Sequence, residues 1–381
     1  MSRRWILSAL LLSTIAAAGP RARDLGIPFD GQPGPLNAIT DVAGVTVGQT
    51  TLISGTDPKH MVRTGVTAVL PRGIQTNALP SFAGWFTLNG NGEMTGTTWL
   101  EESGMLEGPI LLTNTHSVGV VRDAAIGWRI QHGASDNSGY WWSLPVVAET
   151  WDGYLNDING FHVRPEHVDA ALESAHGGPV AEGNVGGGTG MICHEFKCGT
   201  GTASRAIAVG AKHYTVGVLV QANYGLRDTL RIAGVPVGQH LREHRVYSED
   251  ARDETGSIII VVATDAPLLP HQLKRLARRA ALGLARNGSY SGNGSGDIFV
   301  AFSTANAEGV TGVTENVARF IGNDDLDPIF LGAVEATEEA IINAMVAAED
   351  LKGQNGHFAN AIPHAALQDL LKQYGRLVQR H

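Results

Sequence analysis

The eight residues Ser257-Ile258-Ile259-Ile260-Val261-Val262-Ala263-Thr264 restrict the folds open to this chain more than any other stretch. The run is short, rich in β-branched side chains and almost wholly apolar. Turn and polar residues bound it, Gly256 before and Asp265 after. That pattern fits a strand buried on both faces. A fold that accepts it has to cover a sheet on two sides. The junction at its head admits two readings. Gly-Ser is common in the loop before a strand. Alternatively, Gly256-Ser257 is a bond that the chain cuts in itself, leaving Ser257 as a new N-terminus. The stretch alone leaves both open.

The chain has 381 residues, 43% of them hydrophobic, and a mean hydropathy near zero (−0.02). That is enough apolar material for a large core, in one large or two medium domains. Its 48 glycines are dispersed without a period, which points to many turns or close backbone packing. A net charge of −9 with no basic cluster argues against nucleic acid as a partner, because phosphate contacts need grouped Lys and Arg. At the N-terminus, Arg3-Arg4 precedes an apolar run from Trp5 to Ala18 that ends in Ala16-Ala17-Ala18. These are the parts of a secretory signal peptide over residues 1–18. The run is too short to span a membrane comfortably. The expectation is therefore a periplasmic or secreted protein with no membrane attachment once residues 1–18 are removed. Cys193 and Cys198 permit a disulfide in that setting. Two cysteines do not make a framework, and no further Cys or paired His completes a zinc pattern. No metal is expected.

Short strands are expected over 42–53, 66–70, 109–112 and 144–150, with helices over 118–132 and 165–175. The glycine-rich run Gly183–Gly190 invites a nucleotide-binding reading. It fails, since no Gly-Lys-Ser/Thr follows and no strand-to-helix switch surrounds it. Residues 206–209 and 214–221 read as a hairpin. Residues 241–255 are almost all polar, which predicts an exposed, mobile loop leading into Gly256-Ser257. Beyond the strand come an amphipathic helix over 267–286, a strand over 297–303, and helices over 328–350 and 362–377. No linker or repeat interrupts residues 19–381, so a single layered α/β domain is expected, not a βαβ alternation.

Self-cleavage before a serine would create a catalyst. The hydroxyl attacks the preceding carbonyl, the acyl group moves from nitrogen to oxygen, and water releases the ester. The freed α-amine has a reference pKa of about 7.7–8.0, suited to a general base near neutrality. One residue then supplies both nucleophile and base.

The chain resembles the L-aminopeptidase/D-amidase-esterase and β-peptidyl aminopeptidase family. The likeness is carried by Asn89–Gly96, Thr113–Gly119, Glu149–Asp157, Gly183–Glu195, Val218–Asn223 and Gly256–Pro270. It implies an autoprocessed N-terminal-nucleophile-type serine hydrolase. The implied fold is an α-β-β-α sandwich similar to the ornithine acetyltransferase-like fold. Residues 19–256 and 257–381 would be the two fragments. It also implies a homo-oligomer, a tetramer or octamer, with no cofactor and no metal. By position, Ser257 corresponds to the nucleophile, and Ser295 and Asp297 to the pair that orients it and its amine. Asn223 corresponds to the oxyanion donor and Glu149 to the carboxylate that binds the substrate ammonium. Trp151 stands where at least one relative has Tyr, so it shapes the pocket without a phenol. Some relatives carry Glu where this chain has Asp297. The implied function is an aminopeptidase that releases L-, D- or β-amino acids from short peptides, amides or esters. Two alternatives accompany it: an amidohydrolase of the same fold acting on ω-amino amide oligomers, and an inactive secreted binding protein. Ser204, also small-flanked before a strand, is the weaker candidate for the cut.

Overall fold

The computed structural model describes residues 19–74, 79–132, 142–247, 256–307 and 315–378. The expected signal peptide and residues 248–255 of the polar stretch before Gly256 lie outside them. In chain order the elements begin with β1 (Thr46–Ser54), β2 (Val62–Leu70), β3 (Ser81–Gly90), α1 (Thr97–Ser103), β4 (Met105–Leu106), β5 (Ile110–Asn114), α2 (Val118–His132), β6 (Val146–Thr150) and α3 (Pro165–Glu173). They continue with β7 (Ile192–Cys193), β8 (Phe196–Lys197), β9 (Thr200–Val209), β10 (Lys212–Asn223), α4 (Val237–His240), β11 (Ser257–Thr264), α5 (Pro270–Arg286), β12 (Gly296–Ser303), α6 (Asp327–Val346) and α7 (His364–Gln373).

Two sheets make the middle of the molecule. One has the order β1-β2-β5-β6 and the other β4-β3-β12-β11-β10-β9. In the second, β11 lies between antiparallel β10 and parallel β12. Alternation along β11 shows why its run is apolar throughout. Ile259, Val261 and Ala263 pack with Val69, Ile110 and Ala148 of the facing sheet. Ile258, Ile260 and Val262 pack against Leu276 and Ala280 of α5 and Ala340 of α6. On the far side, Val121, Ala125 and Trp128 of α2 and Val168 and Leu172 of α3 cover Val66, Ala68 and Val147. Successive strand residues point to opposite faces, so a strand at the centre of four layers has no polar face. The architecture is the α-β-β-α sandwich that the resemblance implied.

Several element ends differ from expectation by up to six residues, and three differences have a physical reason. β3 was not anticipated, because Ser81–Gly90 mixes aromatic residues with glycine and threonine and ends in a turn-like Asn-Gly sequence. The helix after β11 begins at Pro270, not 267, with Pro at its first turn, where a missing N–H costs nothing. Residues 241–247 were expected to be mobile, but Arg245–Tyr247 are pinned. The buried Glu195 carboxylate takes the N–H groups of Val246 and Tyr247, at 3.1 Å each, and the Arg245 guanidinium at 3.0 Å. Among the described residues, no helix is long and apolar enough to cross a membrane.

Candidate active site

Ser257 is the first residue of β11 and is 4% exposed. The ladders on its two sides determine its neighbours. Asn223, the last residue of β10, is directly opposite it in the antiparallel pair. Gly296, the first of β12, is opposite it in the parallel pair, with Asp297 opposite Ile258. Positions 223, 257 and 295–297 thus meet because they share one end of three adjacent strands. The Gly296 N–H donates to the Gly256 carbonyl at 3.1 Å. Position 256 has no room for a side chain. A methyl there would lie 2.3 Å from the Asn223 carbonyl oxygen and 2.4 Å from Tyr224 Cα.

The Asn223 amide is oriented. Its Oδ1 accepts the Ile192 N–H at 2.9 Å, which leaves its NH2 as the donating end. Ile192 belongs to the β7–β8 hairpin. Cys193 and Cys198 are joined there in a disulfide, so the pairing that the sequence only permitted is present.

Ser295 and Asp297 are both fully buried. The Ser295 hydroxyl donates to Asp297 Oδ1 at 2.7 Å. Burial raises the pKa of Asp297, and the Ser291 and Ser295 hydroxyls and the Ile258 backbone oppose the rise. The Ser291 contact, 2.5 Å to Oδ2, was missed in the sequence. Its spacing of four residues from Ser295 in a loop carries no periodic signal.

Across the cleft, Glu149 sits near the end of β6. Its Oε1 accepts the Glu93 N–H at 3.0 Å and its Oε2 accepts the Thr115 hydroxyl at 2.5 Å. Burial raises its pKa, with the Thr115 hydroxyl as the largest opposing influence. A cavity of about 560 Å3 is lined by Asn91, Gly92, Glu93, Thr115, Glu149, Trp151, Gly256, Ser257 and Gly294. Ser257, Glu149 and Trp151 therefore face one space. Trp151 is 44% exposed at its edge. Among the described residues the lining holds two carboxylates and no lysine or arginine, which favours a cationic ligand group. Glu93 and Thr115 lie inside motifs noted in the sequence but could not be singled out there, because they act by holding Glu149.

The rejected candidates are in structural positions. Ser204 is buried within β9 and donates to Asp41 at 2.6 Å. Gly186–Gly188 is a buried turn, and a methyl on Gly188 would stand 2.3 Å from the Thr200 nitrogen. These glycines serve packing. His194 places Nδ1 2.9 Å from the Leu226 carbonyl. Among the described residues, no group of His, Cys, Asp and Glu is arranged to hold a metal ion.

The profile of peptidase family S58 matches residues 37–359. The chain is 57% identical to the β-peptidyl aminopeptidase BapA of Sphingosinicella microcystinivorans, over 98% of this chain and 97% of that protein. It is 47% identical to the β-peptidyl aminopeptidase BapA of Sphingosinicella xenopeptidilytica, over 96% and 95%. Among solved structures it resembles the L-aminopeptidase D-Ala-esterase/amidase from Ochrobactrum anthropi, with a TM-score of 0.89 and 50% identity, over 94% of this chain and all of that one. That protein is described as a prototype for the serine aminopeptidases and a variant of the Ntn hydrolase fold. A Burkholderia sp. β-aminopeptidase matches with a TM-score of 0.86 and 49% identity, over 95% and 100%.

Proposed function

The chain belongs to peptidase family S58 and is an aminopeptidase; from that premise we propose that it cleaves itself at Gly256-Ser257 and then uses Ser257 to release N-terminal β- or α-amino acids. The observation that carries the reading is that Ser257, at the head of a buried strand, lines the same cavity as the buried carboxylate of Glu149.

In the first step a bond forms between Ser257 Oγ and the Gly256 carbonyl carbon, and the Gly256–Ser257 C–N bond breaks. The proton lost by Oγ ends on the departing Ser257 nitrogen. Water then hydrolyses the ester, giving a Gly256 carboxylate and a Ser257 with free amine and hydroxyl. Residues 19–256 and 257–381 remain as two fragments. In each later turnover the Ser257 amine accepts the Oγ proton and passes it to the leaving amine. The NH2 of Asn223, held by Ile192, donates to the oxyanion. Ser295 and Asp297 orient Ser257. Glu149 holds the substrate ammonium and so confines cutting to the first residue. Trp151 forms a wall of the side-chain space.

The two β-peptidyl aminopeptidase relatives support β-amino acids as substrates. The esterase/amidase likeness supports small amides and esters of α-amino acids. The proposal includes export through residues 1–18, action in the periplasm or outside the cell, and assembly as a homo-oligomer. Neither cofactor nor metal has a step in this chemistry.

The test is a set of p-nitroanilides of L-, D- and β-amino acids and of an ω-amino acid, assayed with wild type and Ser257→Ala. Wild type should cleave β-aminoacyl anilides and run as two fragments, the smaller beginning Ser-Ile-Ile-Ile. Ser257→Ala should remain one chain and hydrolyse none. A Ser257→Ala protein that still processes itself would sink the mechanism.

A further inference from the structure

The loop between α5 and β12 is held in an uncommon shape around one carboxylate. Ser291 has φ +54°, in the left-handed region that a non-glycine residue enters at a cost. Its N–H donates to Ser289 Oγ at 3.0 Å. Its hydroxyl donates to Asp297 Oδ2 at 2.5 Å, while Ser295 donates to Oδ1 at 2.7 Å. The end of β3 holds the loop from the other side. Asn89 Nδ2 donates to the carbonyls of Gly292 (3.1 Å), Asn293 (3.0 Å) and Ser295. Asn91 Nδ2 donates to Gly294 at 2.7 Å. The Asn-Gly-Asn-Gly stretch, which reads in the sequence as a turn, thus clamps the segment between Ser291 and Ser295. Ser291 is held at positive φ by its own bonds to Ser289 and Asp297, in a loop whose next four residues are clamped by Asn89 and Asn91.

We infer that Ser291 is a positioning residue for self-cleavage: its hydroxyl, bonded to Oδ2, turns the Asp297 carboxylate so that Oδ1 engages Ser295 at the strand end that carries Ser257. The inference rests on the reading of Ser257 as the residue that cuts its own chain.

The chemistry makes this contact matter most before the cut. In the uncut chain the Ser257 nitrogen is an amide and is not a base. The Oγ proton needs another acceptor until the C–N bond breaks. Asp297 is a buried carboxylate on the adjacent strand β12, one register position beyond Ser257's partner Gly296 and bonded to the Ser295 hydroxyl at 2.7 Å. A donor to each oxygen stabilises the charged form. The groups acting on Asp297 are the Ser291 and Ser295 hydroxyls and the Ile258 backbone on β11, and no charged side chain among the described residues contributes. Without Ser291, the carboxylate takes a proton at higher pH. A protonated Asp297 would no longer oblige the Ser295 hydroxyl to donate to it, and the relay away from Oγ would lose its direction. After the cut the Ser257 amine provides its own base, so hydrolysis should depend less on Ser291 than processing does.

The experiment follows self-cleavage of full-length, cell-free-translated chain by pulse and chase between pH 4.5 and 9. Wild type, Ser291→Ala, Ser291→Gly, Asp297→Asn and Ser257→Ala are compared. Alanine keeps the backbone cost at position 291 and glycine removes it, but both lack the hydroxyl. The acid limb of the rate should move up by about one unit in both, since a hydrogen bond to a charged group corresponds to one or two pKa units. Cleavage at a pH on that limb should slow about tenfold, with the alkaline plateau within about threefold of wild type. Asp297→Asn should abolish the limb, and adding Ser291→Ala to it should change nothing further. Limbs that overlay wild type in both Ser291 variants would overturn the inference. So would a wild-type profile in Ser291→Gly beside a shifted one in Ser291→Ala, since backbone shape would then be the cause. Ser257→Ala separates the two levels: if it still cleaves, the reading of Ser257 fails, and if it stays whole while the Ser291 variants match wild type, only the role of Ser291 fails.

Discussion

Gly256→Ala should leave the protein folded and largely uncut. The added methyl would lie 2.3 Å from the Asn223 carbonyl oxygen and 2.4 Å from Tyr224 Cα. Both are backbone atoms at the end of β10, so no side chain can rotate away. Ordinary van der Waals contact needs about 1 Å more. Relieving such overpacking costs typically about 1–3 kcal/mol. A domain with about 5–15 kcal/mol of stability survives that. The reaction is less tolerant, because the relief moves the Gly256 carbonyl, which is held by Gly296 N–H at 3.1 Å. At roughly 1.4 kcal/mol per tenfold in rate, the same strain slows self-cleavage by about 5–100-fold. The assay is the ratio of uncut to cut chain over time on denaturing gels, with intact mass confirming the break between 256 and 257. A melting curve serves as the check on folding. If Gly256→Ala folds and processes at the wild-type rate, position 256 is not under the constraint described, and the geometric account of the cut is wrong.

Glu149→Gln should lower kcat/KM for free-amine substrates by about tenfold or more, as expected for a lost charge-assisted contact, and should leave N-acetylated esters unaffected; equal losses on paired substrates would refute the ammonium role. Burial raises the Glu149 pKa, and only the ionised form attracts an ammonium. Substrate affinity should therefore weaken on acidification at a higher pH than for an ordinary glutamate, and in Glu149→Gln that dependence should vanish from 1/KM. Asn223→Ala should reduce kcat by about 10²–10³ with little change in KM, the usual effect of removing one oxyanion donor; stopped assays at saturating substrate decide it. Asp152 is fully buried and its pKa is raised to about 7, with desolvation as the main cause. Its contribution to stability is present below the unfolded value near 4 and is lost as pH rises through about 7. Asp152→Asn should gain at least about 1 kcal/mol over wild type at pH 8 relative to pH 5 in urea unfolding; a pH-independent difference would contradict this.

Much of the fold was legible. The uninterrupted run Ile258–Ala263 required cover on both faces, and the period of Leu269, Leu273, Leu276, Ala280 and Leu284 required a helix with one buried side. Leu273, Leu276, Ala280 and Leu284 are buried in the core beneath α5. β3 was hidden because glycine and polar residues break its pattern. The reason lies in its neighbours: a methyl on Gly84 would stand 2.4 Å from the Lys274 nitrogen of α5. The pinned state of Arg245–Tyr247 was hidden too, since their polar composition looks like a free loop until Glu195, some fifty residues earlier, is brought beneath them.

The candidate site divides in the same way. Gly256-Ser257 before a β-branched strand stands in the sequence as a local signal, because a strand head is a local event, whereas Ser295 and Asp297 stood out only through the family resemblance. The partners that hold those residues come from distant segments. Ile192 orients Asn223, Thr115 and the Glu93 N–H hold Glu149, and Asn89 and Asn91 clamp the loop that carries Ser291. Hydrogen bonds depend on distance in space and leave no period along the chain. The sequence by itself determined most of the elements, β3 excepted, and offered Ser257 at a strand head as the candidate nucleophile. Strand register, which sets Asn223 and Gly296 on either side of Ser257, was decided only when two sheets closed over one core, since a shift of one residue in the β10–β11 ladder would put another residue opposite Ser257 and turn the Asn223 side chain to the other face of the sheet.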